Sequence, residues 1–352
     1  MTNIHFEIRH LPLPLKEPYW LAFGPVSTFD TFIVRAEGRN GVGHGEITPL
    51  PGYSFETGAS VLAAFEDLAS SAGLNLSDCL NGRRESAPMA MSGLAAAADA
   101  IEMGDDRILG FSVGSSIPCV ALCGGTEPKD AAARAHRLSD DGYTVLKMKI
   151  GGDVQNDLRR AEAVSAVLPE YALIRVDANQ QMSEADALTF AKAAGDFPIE
   201  LMEQPYAPDA DARMLALRDV ARVPLMLDES IWTRDDIDRA AKLGMDYVKL
   251  KLCKHLGLRE NLALLEHARS LGLKVVYGNG VQGALGNRQE AFLYLEAGLT
   301  TAIESNGFSK IAAHPADPGM RLEAGALHLD GITDAKTLFD KAEPVAELDL
   351  SA

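Results

Sequence analysis

The 352-residue chain carries 33 Lys and Arg against 50 Asp and Glu, a formal charge of −17 at pH 7, with 47% hydrophobic and 6% aromatic residues. So acidic a chain lacks the cationic footprint that a nucleic-acid backbone requires, and no stretch approaches the roughly 18 uninterrupted apolar residues of a membrane span. No basic stretch followed by an apolar run opens the chain, so a soluble, cytoplasmic protein is expected, with room for an α/β barrel of about 250 residues and one smaller domain.

In chain order, residues 5–12 and 29–36 are patterned as strands, 38–45 as a glycine-rich turn, and 56–72 and 87–103 as Ala-rich helices. That predicts an α+β unit over residues 1–115. From about residue 117 to 306, short apolar runs alternate with amphipathic stretches. The runs are 117–122, 144–150, 173–176, 199–202, 224–227, 247–252, 273–277 and 300–303, each short enough for a strand buried on both faces. Helical patterns such as 129–140, 183–194, 233–243, 259–271 and 288–297 lie between them. Gly142, Gly195, Gly244, Gly272 and Gly298 stand where these helices must stop, as expected for left-handed caps.

One βα unit about every 25 residues predicts a closed parallel barrel over residues 116–310, with an open doubly wound sheet as the competing arrangement. Beyond it, 312–331 returns to strand patterning, and the segment 311–352 is expected to pack back on the first unit. Cys79, Cys119, Cys123 and Cys253 are too scattered for a zinc site and too few for a disulfide scaffold.

Catalytic groups of such barrels stand at the carboxyl ends of the strands. In order these are Lys147 and Lys149, then Asp177, Glu203 and Asp228, then Lys249 and Lys251. Side chains alternate along a strand, so each lysine pair shares one face. The second and sixth strands lie across a barrel from one another, with the three acids on the wall between. Three converging carboxylates repel unless a cation joins them; oxygen-only ligation suits Mg²⁺, with Mn²⁺ as a substitute. Such an ion stabilises the enediolate formed when a proton leaves the carbon next to a carboxylate. One lysine on each face permits removal from one side and return from the other, which is racemisation or epimerisation. Taken from the residues alone, Lys249 and Lys251 are equivalent candidates.

The motifs Lys147-Met148-Lys149, Asp177-Ala178-Asn179-Gln180, Glu203-Gln204-Pro205, Asp228-Glu229-Ser230 and Asp246-Tyr247-Val248-Lys249-Leu250-Lys251 resemble the enolase superfamily, specifically its muconate-lactonizing-enzyme subgroup. The resemblance implies a modified TIM (β/α)7β barrel with an N-terminal α+β capping domain, and Asp177, Glu203 and Asp228 as Mg²⁺ ligands. It casts Lys149 and Lys251 as the two-faced acid/base pair and Lys147 as the neighbour that orients the substrate carboxylate and tunes Lys149. Asn179, Glu229 and Lys249 become supporting groups around the ligands. Two capping-domain loops set specificity in this family, here around Trp20 and Phe23 and around Tyr53. The eighth strand ends in Glu304-Ser305-Asn306 rather than the Asp-x-Asp with which dipeptide epimerases hold a substrate ammonium; Glu304 and Asn306 remain substrate-binding candidates. Relatives commonly assemble as homo-oligomers.

The expected activity is therefore Mg²⁺-dependent α-proton abstraction from a small-molecule carboxylate, as a racemase or epimerase of an amino-acid derivative. A muconate-type cycloisomerase or a syn-dehydratase resembling o-succinylbenzoate synthase needs the same groups. Outside this class stand a Schiff-base aldolase barrel, against which the three acids argue, and a non-catalytic barrel.

Overall fold

The computed structural model describes residues 3–21, 24–51, 55–70, 75–278 and 281–351, and of Trp20 and Leu21 the backbone alone. The chain opens with three antiparallel strands, β1 (Asn3–Leu21), β2 (Gly24–Gly38) and β3 (Gly41–Ile47), followed by helices α1 (Gly58–Ser70), α2 (Leu76–Arg83), α3 (Pro88–Met103) and α4 (Asp105–Leu109). A short strand β4 (Ser116–Pro118) then leads into the barrel. Its seven strands are β5 (Val120–Leu122), β6 (Val145–Lys149), β7 (Leu173–Asp177), β8 (Ile199–Glu203), β9 (Leu225–Leu227), β10 (Tyr247–Leu250) and β11 (Lys274–Tyr277), parallel and neighbours in chain order. Helices α5 (Pro128–Asp140), α6 (Val154–Ser165), α7 (Glu184–Ala193), α8 (Asp211–Arg218), α9 (Arg234–Lys242) and α10 (Gly257–Ser270) connect them, and α11 (Ala284–Glu296) follows the last. Strands β12 (Met320–Glu323) and β13 (Ala326–Leu329), helix α12 (Ala335–Asp340) and strand β14 (Glu343–Ser351) complete the chain.

The eighth barrel strand is reduced to two residues. Ile303 bridges to Cys119 and Glu304 to Gly278, both parallel, and these bridges close the sheet on itself. The result is the expected (β/α)7β barrel beside a separate antiparallel sheet of order β14-β1-β2-β3. Strands such as β9 and β10 are buried along their whole length, as their uninterrupted apolar character requires in a sheet covered by helices.

Three local expectations change. Gly142, Gly244, Gly272 and Gly298 have φ of +90°, +72°, +79° and +62°, the left-handed caps read from the sequence, but Gly195 does not. There the chain passes through a 3₁₀ turn, Ala194–Asp196, and the hydrogen at Gly195 makes room for Arg222, whose Cβ would lie 2.5 Å from an added methyl group. The apolar run 117–122 is two strands, because Ile117 pairs with Leu327 of β13 while Val120 pairs with Val145 of β6. The stretch 312–331 accordingly pairs with β4 at the barrel entrance, and it is β14 that joins β1 in the first sheet. All four cysteines are free and buried.

Helix α3 pins the capping unit to the barrel. Its Ala-rich sequence leaves no bulky side chains on the flank facing β3, and the backbones approach closely: a Cβ at Gly43 would lie 2.2 Å from the Ala97 carbonyl oxygen, and one at Gly45 2.2 Å from that of Gly93. Neither carbonyl can yield without breaking a helical turn. Gly45→Ala is therefore expected to cost about 3 kcal/mol, the upper part of the usual overpacking range, read as a lower urea midpoint at unchanged slope. Buried carboxylates supply the helix caps that the local sequence lacks. Glu56 accepts from the backbone N–H groups of Met89 and Ala90 at 2.7 and 3.1 Å at the start of α3. Glu46 of β3 reaches across to the start of α11, accepting from Gly283 and, at 3.0 Å, Gly286.

A further buried acid lies within α11. Glu290 accepts from Asn287 Nδ2 at 3.0 Å and Ser305 Oγ at 2.5 Å through one oxygen, while Oε1 has no hydrogen-bond partner among the described residues. Burial pushes its carboxyl up from 4.5 to about 7. The folded state thus favours the protonated form, so this contribution to stability is intact below the ordinary carboxyl range and is lost as pH rises through 7. Glu290→Gln is expected to match the wild type near pH 5 and to exceed it at pH 8, by an amount on the order of 2–3 kcal/mol in urea unfolding.

Candidate active site

The parallel register lines up the strand ends. Lys149 stands opposite Asp177, Asp177 opposite Glu203, and Glu203 opposite Met226, so that Asp228 follows two residues later, just past the end of β9. All three acids are buried. Lys147 Nζ lies 2.9 Å from Asp177 Oδ2 and 2.7 Å from Glu203 Oε2; Lys249 Nζ lies 2.9 Å from Glu203 Oε1 and 3.8 Å from Asp228 Oδ2. Lys149 donates to Asp177 Oδ2 at 2.7 Å and to Asn179 Oδ1 at 2.5 Å, whereas Lys251 donates to Asp228 Oδ2 at 2.7 Å. The lysine pairs do share a face, and both converge on the acids from opposite ends of one row.

The backbone just past β7 and β8 is bent to present these groups. Asn179, Gln180 and Gln204 have φ of +41°, +68° and +38°, positions uncommon for residues with a side chain. The turns are held by their own hydrogen bonds: Asn179 N donates to Asp177 Oδ1 at 2.9 Å, and Gln204 Oε1 accepts from Asp228 N at 2.9 Å and Ser230 N at 3.3 Å. Asn179 Nδ2 also reaches Glu229 Oε1 at 3.3 Å. Gln204 therefore fixes the Asp228 loop, a role its place in the Glu-Gln-Pro motif did not disclose.

The eighth-strand residue Glu304 is wholly engaged. Its carboxylate meets Lys249 at 2.6 Å, Lys147 at 3.2 Å and Arg175 at 3.4 Å, and Arg175 is itself anchored by Glu200 at 2.6 Å. No oxygen is left over for a substrate ammonium as the side chains stand. Asn306 lies beside the site, but both its backbone oxygen and Oδ1 accept from Lys310 Nζ. Phe23 and Tyr53 lie outside the described residues, and of Trp20 only its pairing with Pro25 is described.

Most of these groups, though not the buried Glu203 or Arg175, line a cavity of about 160 Å³, small enough for one compact substrate. Larger clefts of about 530 and 710 Å³ lie elsewhere on the surface, away from the strand ends; the second is also rich in charge, with Glu7, Arg9, Arg35, Asp105, Asp106, Lys336 and Asp340 around it. Four lining residues were not singled out as site residues in the sequence: Tyr19, Val120, Leu122 and Lys310. Tyr19 feels the charges of Lys147, Lys251 and Glu304, and burial raises its phenol above the usual range. Lys254, next to the sixth strand, donates to the Asp228 backbone oxygen at 2.7 Å and Oδ1 at 3.2 Å and sits 4.8 Å from the Trp232 ring centre. Its neighbour His255 is buried against the Trp232 carbonyl, and burial brings its imidazole down to about 3.

The electrostatics follow from crowding. Burial works against every charge in the cluster, but the lysines overcome it for Asp177, held at about 2, and for Asp228 and Glu304, both held well below the carboxylate range. Glu203, in the middle, goes the other way. Burial and the Asp177 charge push it up to about 7 despite Lys147 and Lys249. Burial alone would depress Lys147, yet Asp177, Glu203 and Glu304 together hold its ammonium well above the usual lysine range.

Among the described residues no three carboxylate, imidazole or thiol groups gather closely enough to hold a metal as they stand, because ammonium groups lie between the acids. The donor set nonetheless fits a hard divalent cation. It is oxygen-only and comes from three adjacent strand ends, and buried Glu203 Oε2 accepts no well-directed hydrogen bond although Lys147 is near.

Residues 130–331, more than half of the chain, match the family model described as Enolase C-terminal domain-like. The chain belongs to the enolase superfamily. Its place is in the muconate-lactonizing-enzyme subgroup, and it is an isomerase of that superfamily. It is 26% identical over 325 residues to the N-succinyl-L-Arg/Lys racemase of Bacillus cereus, covering 87% of each chain. To muconate cycloisomerase 1 of Pseudomonas putida it is 27% identical over 324 residues, covering 84% of this chain and 85% of the other. The structure of the dipeptide epimerase from Enterococcus faecalis, solved with Mg and the dipeptide L-Leu-L-Tyr, superposes with a TM-score of 0.80 at 25% identity, over 95% of this chain and 99% of that one. Among the described residues of this superfamily member, no helix is long and apolar enough to cross a membrane.

Proposed function

We propose that this isomerase removes the α-proton of a small carboxylate and returns a proton to the opposite face, acting as a racemase or epimerase of an amino-acid derivative. The observation that carries this reading is the placement of Lys149 and Lys251 at opposite ends of one row of carboxylates, both lining the same cavity. Asp177, Glu203 and Asp228 are the residues that would hold Mg²⁺, the ion bound in the epimerase structure above. When bound, Mg²⁺ supplies positive charge where the substrate carboxylate gains negative charge as the proton leaves.

The chain's own groups do the rest. Lys147, buried and held cationic, orients the substrate carboxylate from one side. The Nζ of one of Lys149 and Lys251 takes the proton, and the Nζ of the other delivers one across the ring of acids. Asn179 fixes Lys149 through its 2.5 Å bond, and Lys249 and Arg175 hold the cavity-lining Glu304 in ion pairs. Val120 and Leu122 line the cavity and limit water around the carbon that is being deprotonated.

The test is incubation of N-acyl amino acids, dipeptides and muconate with the Mg²⁺-loaded enzyme in deuterated water. Exchange at the α-carbon with inversion is the expected result; absence of exchange from every carboxylate would sink the reading. The muconate cycloisomerase relative supports a second reading, in which ring closure of muconate leaves an enediolate that one lysine alone protonates to give the lactone. It predicts loss of muconate absorbance with lactone formation and no α-exchange in amino-acid derivatives.

A further inference from the structure

Among the lysines that line the cavity, Lys310 is the odd one out. Lys147, Lys149, Lys249 and Lys251 each meet a carboxylate within 3 Å. Lys310 belongs to a 3₁₀ turn, Phe308–Lys310, just past the eighth strand. Its Nζ donates to Asn306 Oδ1 at 2.5 Å and to the Asn306 backbone oxygen at 3.3 Å, both neutral acceptors, and lies 5.5 Å from the centre of the Tyr19 ring. Among the described residues no carboxylate comes within 4.0 Å of it. A part-buried ammonium held only by neutral oxygens and an aromatic face is under-compensated, and burial brings it down to about 8. An anion delivered beside it would gain a charge-assisted hydrogen bond without displacing an existing ion pair.

Among the described residues, the same side of the cavity offers no free acid to a cation. Glu304, the acid nearest the eighth-strand exit, is already shared by Lys147, Lys249 and Arg175. An ammonium-bearing substrate would have to break those pairs, whereas a second carboxylate would complete Lys310.

We propose that the substrate is a dianion, carrying besides the carboxylate at the reacting carbon a second carboxylate that pairs with Lys310 beside Tyr19 and Asn306. This rests on the reading of the cavity as the carboxylate-binding site.

The experiment measures dissociation constants by calorimetry, with Mg²⁺ present, for N-succinyl-L-alanine and N-butyryl-L-alanine, which share chain length and differ in the terminal carboxylate. Malonyl and glutaryl derivatives, each against its own uncharged acyl partner, cover other lengths. Expected is a preference of about tenfold or more for one of the dianions in the wild type, lost in Lys310→Met and kept in Lys310→Arg. Lys310→Glu should invert it. Thermal melts confirm that each variant is folded. The proposal is overturned if no dianion is preferred at any length, or if the preference survives Lys310→Met. Deuterium exchange on the same samples separates the two readings. A Lys310-dependent preference without exchange refutes the proposed reaction and leaves this inference standing, whereas exchange that is equal for dianion and monoanion refutes this inference alone.

Discussion

Lys149→Ala and Lys251→Met are each expected to slow interconversion of the two substrate stereoisomers by about 10³-fold, roughly 4 kcal/mol, while blocking opposite halves of the exchange reaction. Each variant retains one base. It should therefore still wash deuterium into the stereoisomer whose α-proton faces the surviving lysine, with retention of configuration, and leave the other stereoisomer untouched. Lys149 is 49% exposed and its loss leaves Asp177 with Lys147; loss of Lys251 leaves Asp228 with Lys254. Neither change strands a buried charge, so both variants should fold. The measurement is deuterium incorporation into each pure stereoisomer by NMR. If both variants exchanged the same stereoisomer, the two lysines would be acting on one face and the two-sided scheme would fall.

Removal of divalent cations by EDTA is expected to lower exchange by about 10³-fold or more, with recovery on adding Mg²⁺. The fold should scarcely notice. Lys147, Lys249, Lys251 and Lys254 already neutralise the carboxylates without any ion, so the melting temperature should fall by only a few degrees. Glu203→Gln keeps the shape of the central side chain while removing one charge, and should weaken Mg²⁺ binding, measured calorimetrically with the metal alone, by roughly two decades. An EDTA-treated enzyme that kept its full rate would remove the metal from the mechanism.

Much of this architecture could be read from the residues. Four of five glycine caps, the strand ends and the sharing of a face within each lysine pair follow from rules that act over a few residues: helix termination, strand period, burial on both sides. Gly195 escaped because its reason is distant; it is small to admit Arg222, not to turn the chain. The division of residues 117–122 into two strands escaped likewise, since Ile117 is drawn away by Leu327, more than two hundred positions on. The site divides in the same manner. The three acids and four lysines sit on consecutive strands and form a pattern in one dimension. Tyr19 and Lys310 come from opposite ends of the chain and meet only through the cation–aromatic contact at the cavity, which no local pattern announces. Glu304 was visible as a strand-end acid, but not the trio of cations that occupies it.

The two-residue eighth strand gives the barrel a seam. Other neighbouring barrel strands are laced by ladders of two to five residue pairs; here closure depends on single bridges, Ile303 with Cys119 on one side and Glu304 with Gly278 on the other. Glu304 is also the carboxylate that Lys147, Lys249 and Arg175 grip from the second, sixth and third strands. The same side chain thereby rivets the barrel shut. Local opening should begin at this line, and the amides of Val120, Ile303 and Glu304 are expected to exchange with solvent before those of β7 or β10. Any substrate that drew Lys147 or Lys249 away from Glu304 would loosen the seam, so occupancy of the cavity should be legible in the hydrogen-exchange rates of the backbone along it.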